Sequence, residues 1–164
     1  MHRKLPQSNL YLREEELRRG IELLYFAYRD FTSDPDAILA ETNLGRAHHR
    51  VLYFVGRTPG TTVSGLLKLL RITKQSLSRV LGQLVDEGYI LQKHGTEDRR
   101  QRLLYLTEKG ENFEKELFST QRQRVALAYK TAGPEAVAGF WEVLLNIVNE
   151  ADREIVLRQI EQQR

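Results

Sequence analysis

A chain of 164 residues suits one domain, or one domain with long helical extensions, and can bury a core without staples. Its 25 basic and 22 acidic residues leave a formal charge of +3, so where the charge sits matters more than its sum. The lack of cysteine excludes disulfides, thiolate metal ligands and thiol redox switches. With no apolar run of membrane length, and no apolar core after Met1-His2-Arg3-Lys4, the expectation is a soluble cytoplasmic protein without a membrane partner.

Residues 10–32 read as a first helix, with Leu17, Ile21, Leu24, Tyr25 and Tyr28 at helical spacing. Ser33-Asp34-Pro35 is expected to break it, because the residue before proline avoids the helical region, and a short turn is expected near 37–39. A second helix spans about 44–57 with Leu44, His48, Val51, Leu52 and Val55 inward, and Pro59-Gly60 ends it. Thr62 caps a short third helix that buries Val63, Leu66, Leu67 and Leu70. Arg71-Ile72 turns tightly into a fourth helix capped by Thr73. Leu77, Val80, Leu81, Leu84 and Val85 form its apolar face, and Gly88 stops it. Residues 89–94 and 102–107 read as strands of a hairpin around the polar loop 95–101. Thr107 caps a long fifth helix carrying Phe113, Leu117, Val125 and Ala128. After Gly133-Pro134, one last helix carries Val137, Phe140, Trp141, Leu144, Val148, Ala151 and Ile155 on one stripe.

A short helix, a tight turn and a second helix make a helix-turn-helix, in which the second helix enters the major groove. Opposite its apolar face the fourth helix presents Gln75, Ser78, Arg79 and Gly82, flanked by Lys74 and Ser76. Arginine can pair with guanine, glutamine with adenine and serine with either, and no acid falls among residues 73–83 to repel phosphate. Gly82 costs about 1 kcal/mol against alanine in a helix, which close approach to a DNA backbone would offset. By itself this helix is equally an amphipathic helix with a solvated face. The hairpin decides between the two. From Arg71 to Arg102 seven basic residues stand against four acidic ones, an excess of three that equals that of the whole chain. Arg99 and Arg100 sit at the hairpin tip, where a guanidinium can enter a narrow minor groove, and Asp98 is placed to hold one arginine by a charge-assisted bond.

Thr73-Lys74-Gln75-Ser76-Leu77-Ser78-Arg79-Val80-Leu81, with Leu84-Val85-Asp86-Glu87-Gly88-Tyr89-Ile90, resembles the recognition helix of the MarR (multiple antibiotic resistance regulator) family running into its wing. Glu97-Asp98-Arg99-Arg100 and Leu104-Tyr105-Leu106-Thr107-Glu108-Lys109-Gly110 resemble the wing and its exit. The resemblance covers about residues 44–110. It implies a mainly α fold with a small β-hairpin wing, built as a winged helix-turn-helix lobe (44–107) plus long N- and C-terminal dimerisation helices (10–40 and 108–164) in a single domain. It also implies a homodimer, with first, fifth and sixth helices interlocked, on a palindromic double-stranded DNA operator. The implied function is a transcriptional regulator acting as a repressor and released by a small-molecule effector. Arg100 would be the minor-groove arginine with Asp98 as its partner. Lys74, Gln75, Ser76, Ser78 and Arg79 would face the major groove or its phosphates, and Thr62 and Arg99 complete the expected DNA-binding set. Gly82 and the pair His48-His49 depart from the family pattern.

The large apolar side chains of the terminal helices argue for the dimer independently, since a small lobe cannot cover them all. The alternative is a monomer whose last helices fold back on the lobe. A small aromatic or anionic effector would occupy a crevice between the dimer helices and the lobe, for which Tyr25, Tyr28, His48, Leu52 and Tyr53 are candidates; the same residues equally read as core. His48 and His49 do not suggest a metal site, because adjacent helical residues diverge by about 100° and zinc usually takes three or four ligands. No catalytic motif, metal-ligand cluster or cofactor signature is present, so an enzyme is not expected. A protein-interaction module on the same scaffold is the competing class, and the basic outward face argues against it.

Overall fold

The computed structural model describes residues 7–162. The Met1-His2-Arg3-Lys4 segment lies outside the described residues. A 3-10 turn (Gln7–Leu12) leads into α1 (Glu14–Leu39), whose first turn carries Glu14, Glu15 and Glu16 at the positive end of its dipole. The expected break at Ser33-Asp34-Pro35 does not occur, and the expected turn at 37–39 is helix. Proline removes the donor that would bond the Phe31 carbonyl four residues back, which normally costs ~3 kcal/mol or more. Here the side-chain amide of Gln121 donates to that carbonyl at 3.4 Å. Gln121 is buried, as are Pro35 and Leu39, so packing carries the helix past the proline.

Leu44 is buried ahead of α2 (Arg46–Arg57), which starts two residues later than expected. Gly45 is extended there, and its N–H donates to His48 Nδ1. The expected caps are in place at three helices. Thr62 accepts from Gly65 N at the head of α3 (Val63–Leu70), Thr73 from Ser76 N at α4 (Lys74–Asp86), and Thr107 from Gly110 N at α5 (Glu108–Ala132).

The hairpin is β2 (Ile90–His94) against β3 (Arg102–Leu106), with Ile90 opposite Leu106 and His94 opposite Arg102. A third strand, β1 (Thr61–Thr62), pairs antiparallel with β3 on its other side, so the sheet order is β1-β3-β2. Two residues are too short to show a strand period, which is why the sequence hid β1.

The single last helix expected after Gly133-Pro134 is two, α6 (Pro134–Ile147) and α7 (Glu150–Glu161). Val148 is extended, and the guanidinium of Arg153 donates to the carbonyls of Asn146 (2.9 Å) and Val148 (3.1 Å), closing the end of α6. Asn149 followed by Glu150 and Asp152 is the start signal that the apolar stripe masked.

One core joins α2, α3, α4, the sheet and α5, with Leu52, Val55, Leu77, Leu84, Leu104 and Leu117 fully buried. The arms differ. Among the described residues, α6 and α7 bury no side chain, and Leu17, Ile21, Tyr25, Phe140, Trp141 and Ile160 stand exposed. Of the fifth-helix stripe, Leu117 is buried, Phe113 and Val125 are half-buried and Ala128 is exposed. No described helix is long and apolar enough to cross a membrane.

Candidate nucleic-acid interface

Helix α4 rests on Leu77, Val80, Leu81 and Leu84, all buried, which fixes its rotation. That rotation exposes Lys74, Gln75, Ser76, Ser78 and Arg79 together. Gly82 is half-buried with open space where a Cβ would sit, so nothing inside the protein demands glycine there. The Ser76 hydroxyl accepts from Thr73 Oγ1 at 2.9 Å, so it serves the cap as well as the exposed face. Thr62 is half-buried, its oxygen engaged by Gly65 N.

The end of α4 is locked from three sides. Gly88 has φ +77, and Tyr89 N returns to the Leu84 carbonyl at 2.8 Å. Lys109 Nζ donates to the Glu87 carbonyl at 2.7 Å and lies over the Tyr89 ring. Gly110 sits against Tyr89, and a Cβ there would overlap the Tyr89 carbonyl oxygen. The helix, the wing and α5 therefore meet at one rigid junction.

The wing tip is organised by its backbone. Gly95 N donates to the Gln101 carbonyl, and Gln101 N to that of Asp98. A Cβ on Gly95 would come within 2.6 Å of the Asp98 carbonyl oxygen, so this turn needs glycine. The structure corrects the expected role of Asp98. Its carboxylate accepts from the backbone N–H of Arg100 at 2.9 Å and, among the described residues, holds no guanidinium. A side chain bound to an amide two residues on is an Asx turn, a shorter reach than any arginine tip offers. His94 Nδ1 bonds the Arg99 carbonyl at 2.9 Å, bracing the tip from the other strand. Lys74, Arg79, Arg99 and Arg100 are exposed and form no ion pair with any described residue.

A cavity of about 600 Å³ opens between α1, α2 and α5. Tyr28 and Tyr53 line it with Phe31, Phe54 and Phe118, and Arg46, Arg50 and Arg122 add positive charge. Of the other candidates, Tyr25 is 72% exposed, and Leu52 is fully buried in the core. His48 is absent from the lining. Its Nδ1 accepts from the Gly45 N–H, so Nε2 carries the proton and donates to Gln83 Oε1 at 2.9 Å. The cavity histidine is His49, a turn of 100° away, which the inward stripe gave no reason to choose. Its Nε2 is buried with no hydrogen-bond partner. Burial holds its pKa below the ordinary value, with Arg50 adding to the effect and Asp36 opposing it. No three metal-ligating side chains gather among the described residues.

Comparison with known proteins converges on one family. The model of the MarR family matches residues 42–101. The HTH-type transcriptional regulator PetP of Rhodobacter capsulatus is 51% identical over 147 residues, covering 90% of this chain and 89% of that one. Streptococcus pneumoniae FabT, solved in complex with DNA, superposes with a TM-score of 0.69 at 22% identity over 80% of this chain and 94% of that chain. A mutant MarR from E. coli complexed with operator DNA gives a TM-score of 0.63 at 19% identity, over 85% of this chain and 99% of that chain.

Proposed function

The chain belongs to the MarR family, and from that premise we propose that it is a transcriptional regulator that binds double-stranded DNA as a homodimer, with α4 in the major groove and the wing arginines in the flanking minor groove. One observation carries this reading. Lys74 to Arg79 and Arg99-Arg100 display exposed cations without an ion pair to any described residue beside groove-reading side chains, on backbones held by a cap and by turn hydrogen bonds. Braced donors lose little freedom on contact, and a polyanion is the partner such a surface fits. Arg79, Gln75 and Ser78 read bases, Lys74, Ser76 and Thr62 hold phosphates, and Arg99 and Arg100 enter the minor groove. Asp98 sets the backbone that aims Arg100.

The uncovered apolar faces of the arms fit a second copy of the chain. Two copies related by a two-fold axis match a palindromic operator whose half-sites lie about 34–36 Å apart, or a multiple of that. The reading includes repression, a cytoplasmic location, and release by a small aromatic or anionic effector. The aromatic, arginine-edged cavity supports that effector class, and an occupant would act by favouring a lobe spacing that misfits DNA.

Selection of binding sites from random duplex DNA at two salt concentrations tests the whole proposal. The expected result is a palindromic consensus with salt-sensitive affinity. Arg100→Ala should weaken binding without unfolding the protein. Gln75→Ala or Arg79→Ala should change the consensus, at about 1–3 kcal/mol per lost base contact. No salt-sensitive binding to any duplex would refute it. Loss of DNA binding on titration with aromatic carboxylates tests the effector separately.

A further inference from the structure

Helix α7 belongs by chain order to the arms, yet its polar contacts reach the DNA-binding lobe. Asp152, near its start, accepts from the guanidinium of Arg71 at 2.6 Å. Gln159, near its end, exchanges hydrogen bonds with the Thr58 hydroxyl, the shorter at 3.0 Å. Thr58 precedes α3 and Arg71 follows it. The two ties therefore pin the start of α7 to the turn of the helix-turn-helix and its end to the end of α2.

Arg71 is itself unusual. It has φ +51, and among the described residues it is the one position outside glycine with positive φ. A left-handed residue between two helices favours glycine, since a side chain there is strained. An arginine at this place gains something that glycine would lack, and its guanidinium is held by Asp152, a side chain three-quarters buried. The turn that Arg71 makes sets the entry of α4, because Thr73, the cap of α4, is two residues on.

We infer that α7 is a brace between arms and recognition helix, and that Asp152 and Gln159 are positioning residues which fix the distance between the two half-sites the dimer accepts. This rests on the DNA-binding reading above. In a dimer the arms form the fixed frame, and each lobe is attached to it through α1, α2 and α5. A lobe held on one side can tilt. A second attachment, at the end of α2 and at the turn of the helix-turn-helix, opposes that tilt and makes spacing a selective variable. DNA then discriminates between dimers by geometry as well as by base contacts.

The test uses the full-length protein and a duplex with the selected half-sites at their preferred separation, beside a second duplex lengthened by one base pair. The readout is the ratio of the two affinities at fixed salt. A change in that ratio is not expected from a uniform loss of phosphate contacts. Asp152→Ala and Gln159→Ala should each reduce the ratio by about threefold, in line with a partly exposed pair. The exchanged pair Arg71→Asp with Asp152→Arg should restore it, even if overall affinity falls. A ratio unchanged in both single variants, or an exchanged pair that fails to restore it, overturns the inference. A parent protein that binds neither duplex refutes the DNA-binding reading instead.

Discussion

The lobe and the arms are inverted images of each other. The lobe closes its apolar interior and leaves Lys74, Arg79, Arg99 and Arg100 without a carboxylate among the described residues. The arms do the opposite. Arg18, Arg19, Arg124 and Arg158 each hold a carboxylate, with Glu14, Glu16, Asp34 and Glu154 respectively, while Trp141, Phe140, Ile21 and Leu127 face outward. The cations of α4 and the wing tip are left for a partner, and so is the apolar surface of the arms. A surface short of anions fits a nucleic acid, and a surface short of apolar cover fits another protein surface.

Substitutions can break or sharpen this contrast. The largest effect is expected inside the lobe. Leu84 is fully buried, and Leu84→Ala should cost about 2–5 kcal/mol, measured by urea denaturation followed by circular dichroism. A cost below about 1 kcal/mol would mean that the lobe core is not what holds the fold. In the arms, Trp141 is half-exposed and its indole N–H donates to the Tyr129 hydroxyl at 2.8 Å. Trp141→Ala should weaken self-association by about 2 kcal/mol, as an interfacial aromatic does, while leaving a monomer nearly unaffected. Sedimentation equilibrium separates the two. At the junction between helix and turn, Thr73→Ala removes the α4 cap and should cost about 1 kcal/mol by the same denaturation assay.

The smallest effect concerns pH. Burial keeps the folded-state pKa of His49 below its ordinary 6.5, so as pH falls the unfolded chain takes up this proton first. The stability tied to a neutral His49 is complete above 6.5 and is lost as pH falls below it. Between about pH 7.5 and 5.5 the urea midpoint should fall more steeply in the parent than in His49→Asn. Equal slopes would show that His49 titrates without hindrance.

The lobe was more legible than the arms, for physical reasons. Short-range rules govern the lobe, so Thr62, Thr73 and Thr107 announced three helix starts and Gly88 announced a stop. The outward row on α4 followed from its apolar face alone. The error at Pro35 arose where a distant group decides the outcome, and the others from nearer groups that an apolar pattern does not show. Pro35 reads locally as a breaker, and nothing near it in the chain reveals that Gln121 will take up the carbonyl it strands. The apolar stripe from Val137 to Ile155 reads as one helix, and Arg153 ends α6 by turning back on Asn146 and Val148. Asp98 was matched to an arginine side chain by charge, although the nearer amide of Arg100 satisfied it first. His49 lines the cavity and His48 does not, because a stripe shows which side is inward and not whether that side meets core or cavity.

The proline within α1 has a mechanical consequence. Such a residue would normally make a joint, since the backbone around it lacks one rung and can flex. Here the missing rung is supplied sideways, from α5, so the weak point of one rod is welded to its neighbour. Arg124 adds a second weld at Asp34, one residue before the proline. The two helices are thus tied at Phe31 and Asp34, just where the proline would otherwise let α1 bend.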